Sequence, residues 1–187
     1  TERDWSSDVC SSDLEVAAGI SINARNVIVD KGFIKNVKHG VEADNTVAYQ
    51  GIYKTSITGV HIQRALKGIV SQNNDITIRD VRLDDVKDGL VLEALPYSPL
   101  PELDVITNST LVTGVTATGQ GNEGVGISIK SPFTRISNSF LSGFEKGVSI
   151  QGSTYGSLLA SLDSVTVDGA SDIGFEVLDI DDSVGDG

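Results

Sequence analysis

Residues 81–92 read VRLDDVKDGLVL and residues 139–150 read SFLSGFEKGVSI, and the two stretches match position by position around a shared glycine. Apolar side chains stand six and three residues before Gly89 and one and three residues after it, and the same offsets from Gly147 are also apolar. Apolar and polar residues alternate over two or three positions at a time, which favours short β-strands over helices.

The pattern recurs along the chain, with Gly40, Gly68, Gly89 and Gly147 as anchors and no gap over seventeen positions. The columns of recurring residues are Val27, Thr55, Ile76 and Thr134; Val29, Ile57, Ile78 and Ile136; Ile34, Ile62, Leu83 and Leu141; and Val41, Ile69, Leu90 and Val148. Segments around Gly126 and Gly174 fit with small insertions, so six repeats are readable. Each anchor glycine suits either a positive φ or a close approach of two backbones.

Each repeat holds three strands that are too short to pair within their own repeat. Their backbone N–H and C=O groups are satisfied only if each strand pairs with the equivalent strand of the next repeat. This predicts an all-β parallel β-helix of about six turns with three short strands per turn. A β-sandwich is the structural alternative, because short strands at regular spacing also suit that fold.

The repeats at residues 81–92 and 140–150 resemble the parallel β-helix repeat of the pectin-lyase-like superfamily. The resemblance covers roughly residues 27–177 and implies a right-handed coil. Members of this superfamily include polysaccharide lyases, hydrolases and epimerases, and also non-catalytic adhesins and phage tailspikes. It therefore implies an extracellular or cell-surface location and a polysaccharide ligand, with catalysis left open.

Composition narrows the function classes. The chain has 187 residues and a net charge of -12, with scattered basic residues, which argues against a protein that tracks nucleic-acid phosphates. No stretch reaches the roughly 18 apolar residues of a membrane-spanning helix.

The two ends of the chain differ from its body. Residues 4–14 read DWSSDVCSSDL, resemble a translated sequencing adapter, and hold the one Cys and the one Trp. We therefore expect three regions: residues 1–14 as an artefact, 15–178 as a truncated β-helix domain, and 179–187 as an acidic tail or linker. Neither end of the domain shows a capping helix, which predicts exposed strand edges and self-association.

The densest cluster of charges lies in the third repeat, where residues 79–88 hold seven charged side chains. Arginine and carboxylate groups on a shallow groove would suit an acidic sugar, since a guanidinium pairs with a uronate and a carboxylate shuttles a proton. The candidate residues are Arg64, Arg79, Arg82, Asp80, Asp84 and Asp85. The alternative is a solvated face with modest ion pairs.

Other candidates are more dispersed. His39 and His61 stand one and seven residues before their anchors, so they fall in different columns and are not expected to meet. Two insertions hold Tyr49, Tyr53 and Tyr97, which could form an aromatic shelf for a sugar ring or cover the ends of apolar columns. No cofactor is evident. Asp182 and Asp186 match part of a calcium loop, so Ca²⁺ is the one ion to consider.

Two functions thus remain open. The first is a fragment of a lyase, hydrolase or epimerase acting on an acidic polysaccharide, and the second is a non-catalytic adhesin, surface stalk or tailspike shaft. The first predicts a cleft bordered by the arginines and carboxylates, whereas the second predicts that these charges pair with one another.

Overall fold

The computed structural model describes residues 16–24, 26–43, 54–72, 75–93, 109–131, 133–152 and 160–178. These residues form twelve β-strands and no helix, so the described part of the chain holds no helix that could cross a membrane. The strands are β1 (Val16–Ile22), β2 (Val27–Ala43), β3 (Thr55–Ser71), β4 (Ile76–Arg79), β5 (Arg82–Glu93), β6 (Thr110–Thr113), β7 (Thr116–Gly119), β8 (Val125–Lys130), β9 (Thr134–Ser142), β10 (Lys146–Gln151), β11 (Ala160–Asp168) and β12 (Ile173–Leu178). The predicted all-β class is confirmed.

All pairings among the described strands are parallel. The described strands therefore do not form the β-sandwich alternative, whose sheets are antiparallel. Residues that were predicted to lie over one another are successive partners: Val29 pairs with Ile57, and Ile57 with Ile78.

Six of the strands close into a ring, in the order β3, β4, β6, β9, β7, β5 and back to β3. The ring closes because β3 and β9 each bend, so that two segments of one strand pair with two different strands of the ring. The first segment of β3, starting at Thr55, pairs with β4, and the segment from His61 pairs with β5. In β9 the segment from Thr134 pairs with β6, and the segment from Phe140 pairs with β7.

Left-handed residues divide the long strands into segments and mark where the chain bends. One set lies at equivalent positions of six repeats, with φ between 48° and 67°: Lys31, Gly59, Asp80, Gly114, Asn138 and Ser164. A second set follows five positions later in five of these repeats, with φ between 57° and 69°: Asn36, Arg64, Asp85, Gly143 and Gly169. A single left-handed residue interrupts the alternation of a strand. Strands β2 and β3, with two such residues each, are divided into three segments, and β5, β9 and β11, with one each, into two.

The anchor glycines lie at a close approach of successive backbones. A Cβ atom on Gly40 would lie 2.5 Å from the carbonyl oxygen of Gly68, and one on Gly68 would lie 2.6 Å from that of Gly89. These anchors have no positive φ, so close approach is the correct choice between the two explanations that the sequence left open. The same column begins one repeat earlier, at Gly19 in β1.

The core consists of apolar side chains that point inward at the same offset in every repeat. Ile62, Leu83, Ala117 and Leu141 are successive partners and are all fully buried. Full burial of one such aliphatic side chain contributes roughly 1.5–3 kcal/mol. Stacked columns of this kind are therefore the main source of stability.

The prediction recognised the repeat around Gly126 by its third strand but missed its first two strands, β6 and β7. Strand β6 lies between Ile78 and Ile136, and β7 lies between Leu83 and Leu141. Thr110 stands sixteen residues before Gly126, whereas Thr134 stands thirteen residues before Gly147. Val86, three residues before Gly89, pairs with Gly119, which stands seven residues before Gly126, so the extra residues follow β7. This insertion concealed β6 and β7 in a gapless alignment.

Candidate functional site

A row of outward side chains crosses the first three repeats on adjacent strands. Phe33 in β2 pairs with His61 in β3, and His61 pairs with Arg82 in β5. Asp84 lies two residues after Arg82 on the same strand and on the same outward face. We call Phe33, His61, Arg82 and Asp84 the His61 face.

Asp84 connects the two nitrogen-bearing side chains of this face. Its Oδ2 atom lies 2.7 Å from His61 Nε2. Arg82 Nε donates to both carboxylate oxygens of Asp84, at 3.1 Å to Oδ1 and 2.8 Å to Oδ2. The carboxylate therefore orients the imidazole and the guanidinium together, and both are accessible to solvent, with Arg82 65% exposed.

Phe33 provides the apolar part of the face. Its ring meets the His61 ring edge to face, with centroids 5.0 Å apart, and the side chain remains 61% exposed. The same column continues through Thr116 to Phe140, which is 40% exposed. Four strand spacings separate Phe33 from Phe140, so the column forms a strip on the order of 19 Å long.

The structure brings other predicted residues close to this face. Arg64 Nε lies 3.6 Å from Asp85 Oδ2, as expected from their shared column. Asp85 also takes part in the register shift: its N–H donates to Thr118 Oγ1 at 3.3 Å, and its carbonyl accepts from Gln120 Nε2 at 2.7 Å. Asp85 thus has a structural role in addition to its charge.

Arg79 and Asp80 do not join the cluster. Arg79 is exposed on the first segment of the repeat, and Asp80 is the left-handed residue that follows it. The N–H of Asp80 donates to the carbonyl of Thr113 at 3.0 Å, within the backbone of the bend. Six charges were predicted to form one site, and four of them, Arg64, Arg82, Asp84 and Asp85, form two neighbouring pairs.

Several predicted residues lie outside the described part of the chain. These are Tyr49, Tyr53 and Tyr97 of the aromatic shelf, Asp182 and Asp186 of the calcium loop, and the regions 1–14 and 179–187. Among the described residues, no group of three His, Cys, Asp or Glu side chains could hold a metal ion.

The sequence pointed to the arginines and carboxylates but not to His61 as their partner. The signal was present, because Phe33, His61, Arg82 and Phe140 all stand seven residues before their anchors. His39 lies apart as expected, with Nδ1 3.3 Å from Glu42 Oε2. Comparing each offset across repeats, rather than comparing the two histidines with each other, would have identified the face.

An open pocket of about 520 Å³ lies elsewhere, at the first residues of β6, β9 and β11. Its lining combines the Phe133 ring and the Arg135 side chain with the residues Ser109, Thr110, Thr134 and Ser161. The sequence does not predict this pocket, because its residues come from three repeats and carry no common charge pattern.

One ion pair near the end of the described chain shifts two pKa values. Lys146 Nζ donates to Glu176 Oε1 at 2.8 Å, and the Ser149 hydroxyl donates to Oε2 at 2.8 Å. The hydrogen bond from Lys146, together with the one from Ser149, lowers the pKa of Glu176, and the bond to Glu176 raises the pKa of Lys146.

Comparison of the chain with protein-family models, curated proteins and solved structures finds no match.

Proposed function

We propose that this chain is a module of an extracellular or cell-surface protein that binds an acidic polysaccharide along the column from Phe33 to Phe140. The observation that carries the proposal is the His61 face, where an exposed aromatic ring adjoins a hydrogen-bonded imidazole, carboxylate and guanidinium. An aromatic ring packs against the apolar face of a sugar, and the polar groups bind its hydroxyl and carboxylate groups.

The proposal includes the finer description of the fold, a right-handed parallel β-helix of the pectin-lyase-like type. It is supported by the parallel registers, by the anchor glycines in one column and by the left-handed residues at equivalent positions. In this description the six-stranded ring is the middle of a wound coil. Strands β3 and β9 bend at their left-handed residues and so continue from one sheet of the coil into the next.

The outward column suits a linear polymer. Its side chains repeat at the strand spacing of about 4.8 Å, so a chain that runs across the strands meets Phe33, His61, Arg82 and Phe140 in order. Arg82 remains largely exposed while it bonds Asp84, which leaves the guanidinium accessible to a uronate.

A catalytic role is the second candidate, and the contact of His61 with Asp84 favours it. A carboxylate oxygen at 2.7 Å from one imidazole nitrogen orients the ring, which is the arrangement of a general base and its partner. A chain with this catalytic role would belong to the lyase, hydrolase or epimerase class. The adhesin, stalk or tailspike class needs only the binding strip.

Binding to polygalacturonate, alginate and chondroitin, with and without Ca²⁺, tests the proposal by calorimetry. We expect Phe33→Ala to weaken binding about tenfold, because the stacking surface is lost. Ile28→Ala is the matched control, since Ile28 is 76% exposed on the same strand but lies on another face. Equal binding by the parent and Phe33→Ala would refute the proposed site.

Incubation with the same three polysaccharides distinguishes the catalytic class from the non-catalytic class. A catalytic chain releases reducing ends or unsaturated ends that absorb in the ultraviolet, and Asp84→Asn abolishes the release. Binding without either product supports the non-catalytic class, whereas absence of both binding and products refutes the polysaccharide proposal.

A further inference from the structure

Within residues 16–178, as far as the structure describes them, the core columns are less covered at both ends of the stack of repeats than in its middle. Val29 and Leu162, at the first and last positions of one column, are only half-buried, whereas the residues between them are fully buried. In another column Ile150 is 8% exposed, and its partner Val177 in the last repeat is 75% exposed. Phe175 in the same strand is 51% exposed.

The strands at these ends have free edges within the described part of the chain. Strand β11 pairs with β9 and β12 pairs with β10, each on one side. At the other end, the segment of β2 from Val27 to Lys35 pairs with β3 on one side, and β1 pairs with β2. Free parallel edges with unpaired N–H and C=O groups are templates for another strand.

The two ends carry opposite charge. Residues 160–178 hold four carboxylates and no Lys or Arg, and one of the four, Glu176, is paired with Lys146. The first repeat holds Lys31, Lys35 and Lys38 against Asp30 and Glu42. Lys35 pairs with Gln63 and Asp168 pairs with Ser142, and these are the first and last positions of one column. Two acidic ends would repel each other, so the charges favour contact of an acidic end with a basic one.

The anchor glycines define a register for that contact. A Cβ on each anchor from Gly19 to Gly147 would meet the carbonyl oxygen of the next anchor, but a Cβ on Gly174 would meet nothing within 4 Å. Among the described residues, Gly174 is the last member of the column and Gly19 the first. The space beside Gly174 is wide enough for a further backbone.

We propose that copies of this chain stack head to tail, with β11 and β12 of one copy pairing in parallel with β2 and β1 of the next. In this register Asp168 lies over Lys35, and Gly174 lies against Gly19. The register also places Asp163 near Asp30, a like-charged match that the adjacent Lys31 offsets. Such a contact is heterologous and does not close on itself, so it yields chains of copies rather than a closed dimer.

Sedimentation of the full chain over a range of concentrations, under reducing conditions because of Cys10, tests the proposal. Lys35→Glu and Asp168→Lys are each expected to weaken association roughly tenfold. The double variant, and an equimolar mixture of the two single variants, restore it. All end contacts of the double variant are oppositely charged, and so are those of chains in which the two single variants alternate. Arg135→Glu is the control, with the same change of charge on an exposed middle strand.

Gly174→Ala adds an independent measurement. The added methyl group meets nothing in its own chain, so the melting temperature of the dilute protein stays unchanged while association is lost. A protein that stays monomeric at every concentration overturns the proposal. So does association that Asp168→Lys strengthens and Lys35→Glu leaves unchanged, because that result indicates contact between two acidic ends.

Discussion

The Nε2 atom of His61 lies 2.7 Å from the Oδ2 atom of Asp84, although the two residues are 23 positions apart in the sequence. His61 pairs with Arg82, which lies one repeat later on the adjacent strand. Asp84 stands two residues after Arg82 on that strand. Arg82 completes the contact by bonding the same carboxylate from its own strand. The chemistry of this face therefore depends on the register between β3 and β5.

Replacement of Asp84 by Asn tests whether this carboxylate organises the face. We expect polysaccharide binding to weaken about tenfold, because the charge-assisted bonds to His61 and Arg82 are lost. The free energy of unfolding should change by less than about 1 kcal/mol, since exposed ion pairs contribute little. Calorimetric titration and chemical denaturation measure the two quantities. Unchanged affinity, or loss of affinity in proportion to loss of fold, would contradict the assigned role.

Replacement of Gly68 by Ala tests the column of anchor glycines. The new methyl group would lie 2.6 Å from the Gly89 carbonyl oxygen and 2.8 Å from Leu83 Cδ1, so the neighbouring repeat must move. We expect a loss of about 1–3 kcal/mol in denaturant unfolding. Gly32→Ala is the control, because its Cβ would meet nothing within 4 Å. Equal effects of the two substitutions would show that close approach is not the reason for glycine.

Truncation of Leu83 to Ala tests the inward columns. Leu83 is fully buried between Ile62 and Ala117, so its removal leaves a cavity that the rigid stack cannot fill. We expect a loss of about 2–5 kcal/mol, measured by denaturant unfolding. Val177→Ala should cost far less in dilute protein, because Val177 occupies an inward column but is 75% exposed. A similar cost for both would contradict the open end of the core.

The pair of Lys146 and Glu176 predicts a dependence of stability on pH. The folded state lowers the pKa of Glu176 from its ordinary value of 4.5, so this group's contribution is complete above that pH. It is lost as the pH falls from about 4.5 through the lowered folded-state pKa, because the unfolded chain then binds the proton more tightly. Glu176→Gln should therefore lower the melting temperature at neutral pH and make no difference in strong acid.

Lys146 makes the stability depend on pH in the alkaline range. Its pKa is raised above 10.5, so its contribution is complete below that pH and is lost as the pH rises through the folded-state value. Lys87→Gln is a suitable control for the loss of an ion pair as such, since Lys87 lies 3.6 Å from Glu123 in a more exposed pair. A constant difference between the parent and Glu176→Gln at every pH would contradict the linkage.

Part of the fold was predictable because the apolar residues repeat at constant offsets. The strands that contain Ile57, Leu83 and Val148 were placed from the anchors alone, and the successive partners in the structure follow the predicted columns. Strands β6 and β7 were missed, since the three extra residues before Gly126 broke the spacing. Strand β1 was missed because its repeat was not aligned with the Gly19 anchor.

The site was less predictable than the fold. The charged cluster of residues 79–88 was identified, but sequence proximity grouped Arg79 with Arg82, although a left-handed residue at Asp80 separates their faces. His61 belongs to another repeat, and its offset from the anchor places it beside Arg82. Its contact with Asp84, two residues further along the strand, depends on how the side chains are oriented.

The sequence by itself determined which residues face inward, since a period of two and a recurring glycine leave one arrangement of apolar side chains. Only the tertiary structure decided which outward groups meet, where the bends fall, and that the glycines allow close backbone contact. The physical reason is that burial is recorded locally, in each residue's polarity. Contacts between polar groups depend on the register of strands that lie more than twenty residues apart.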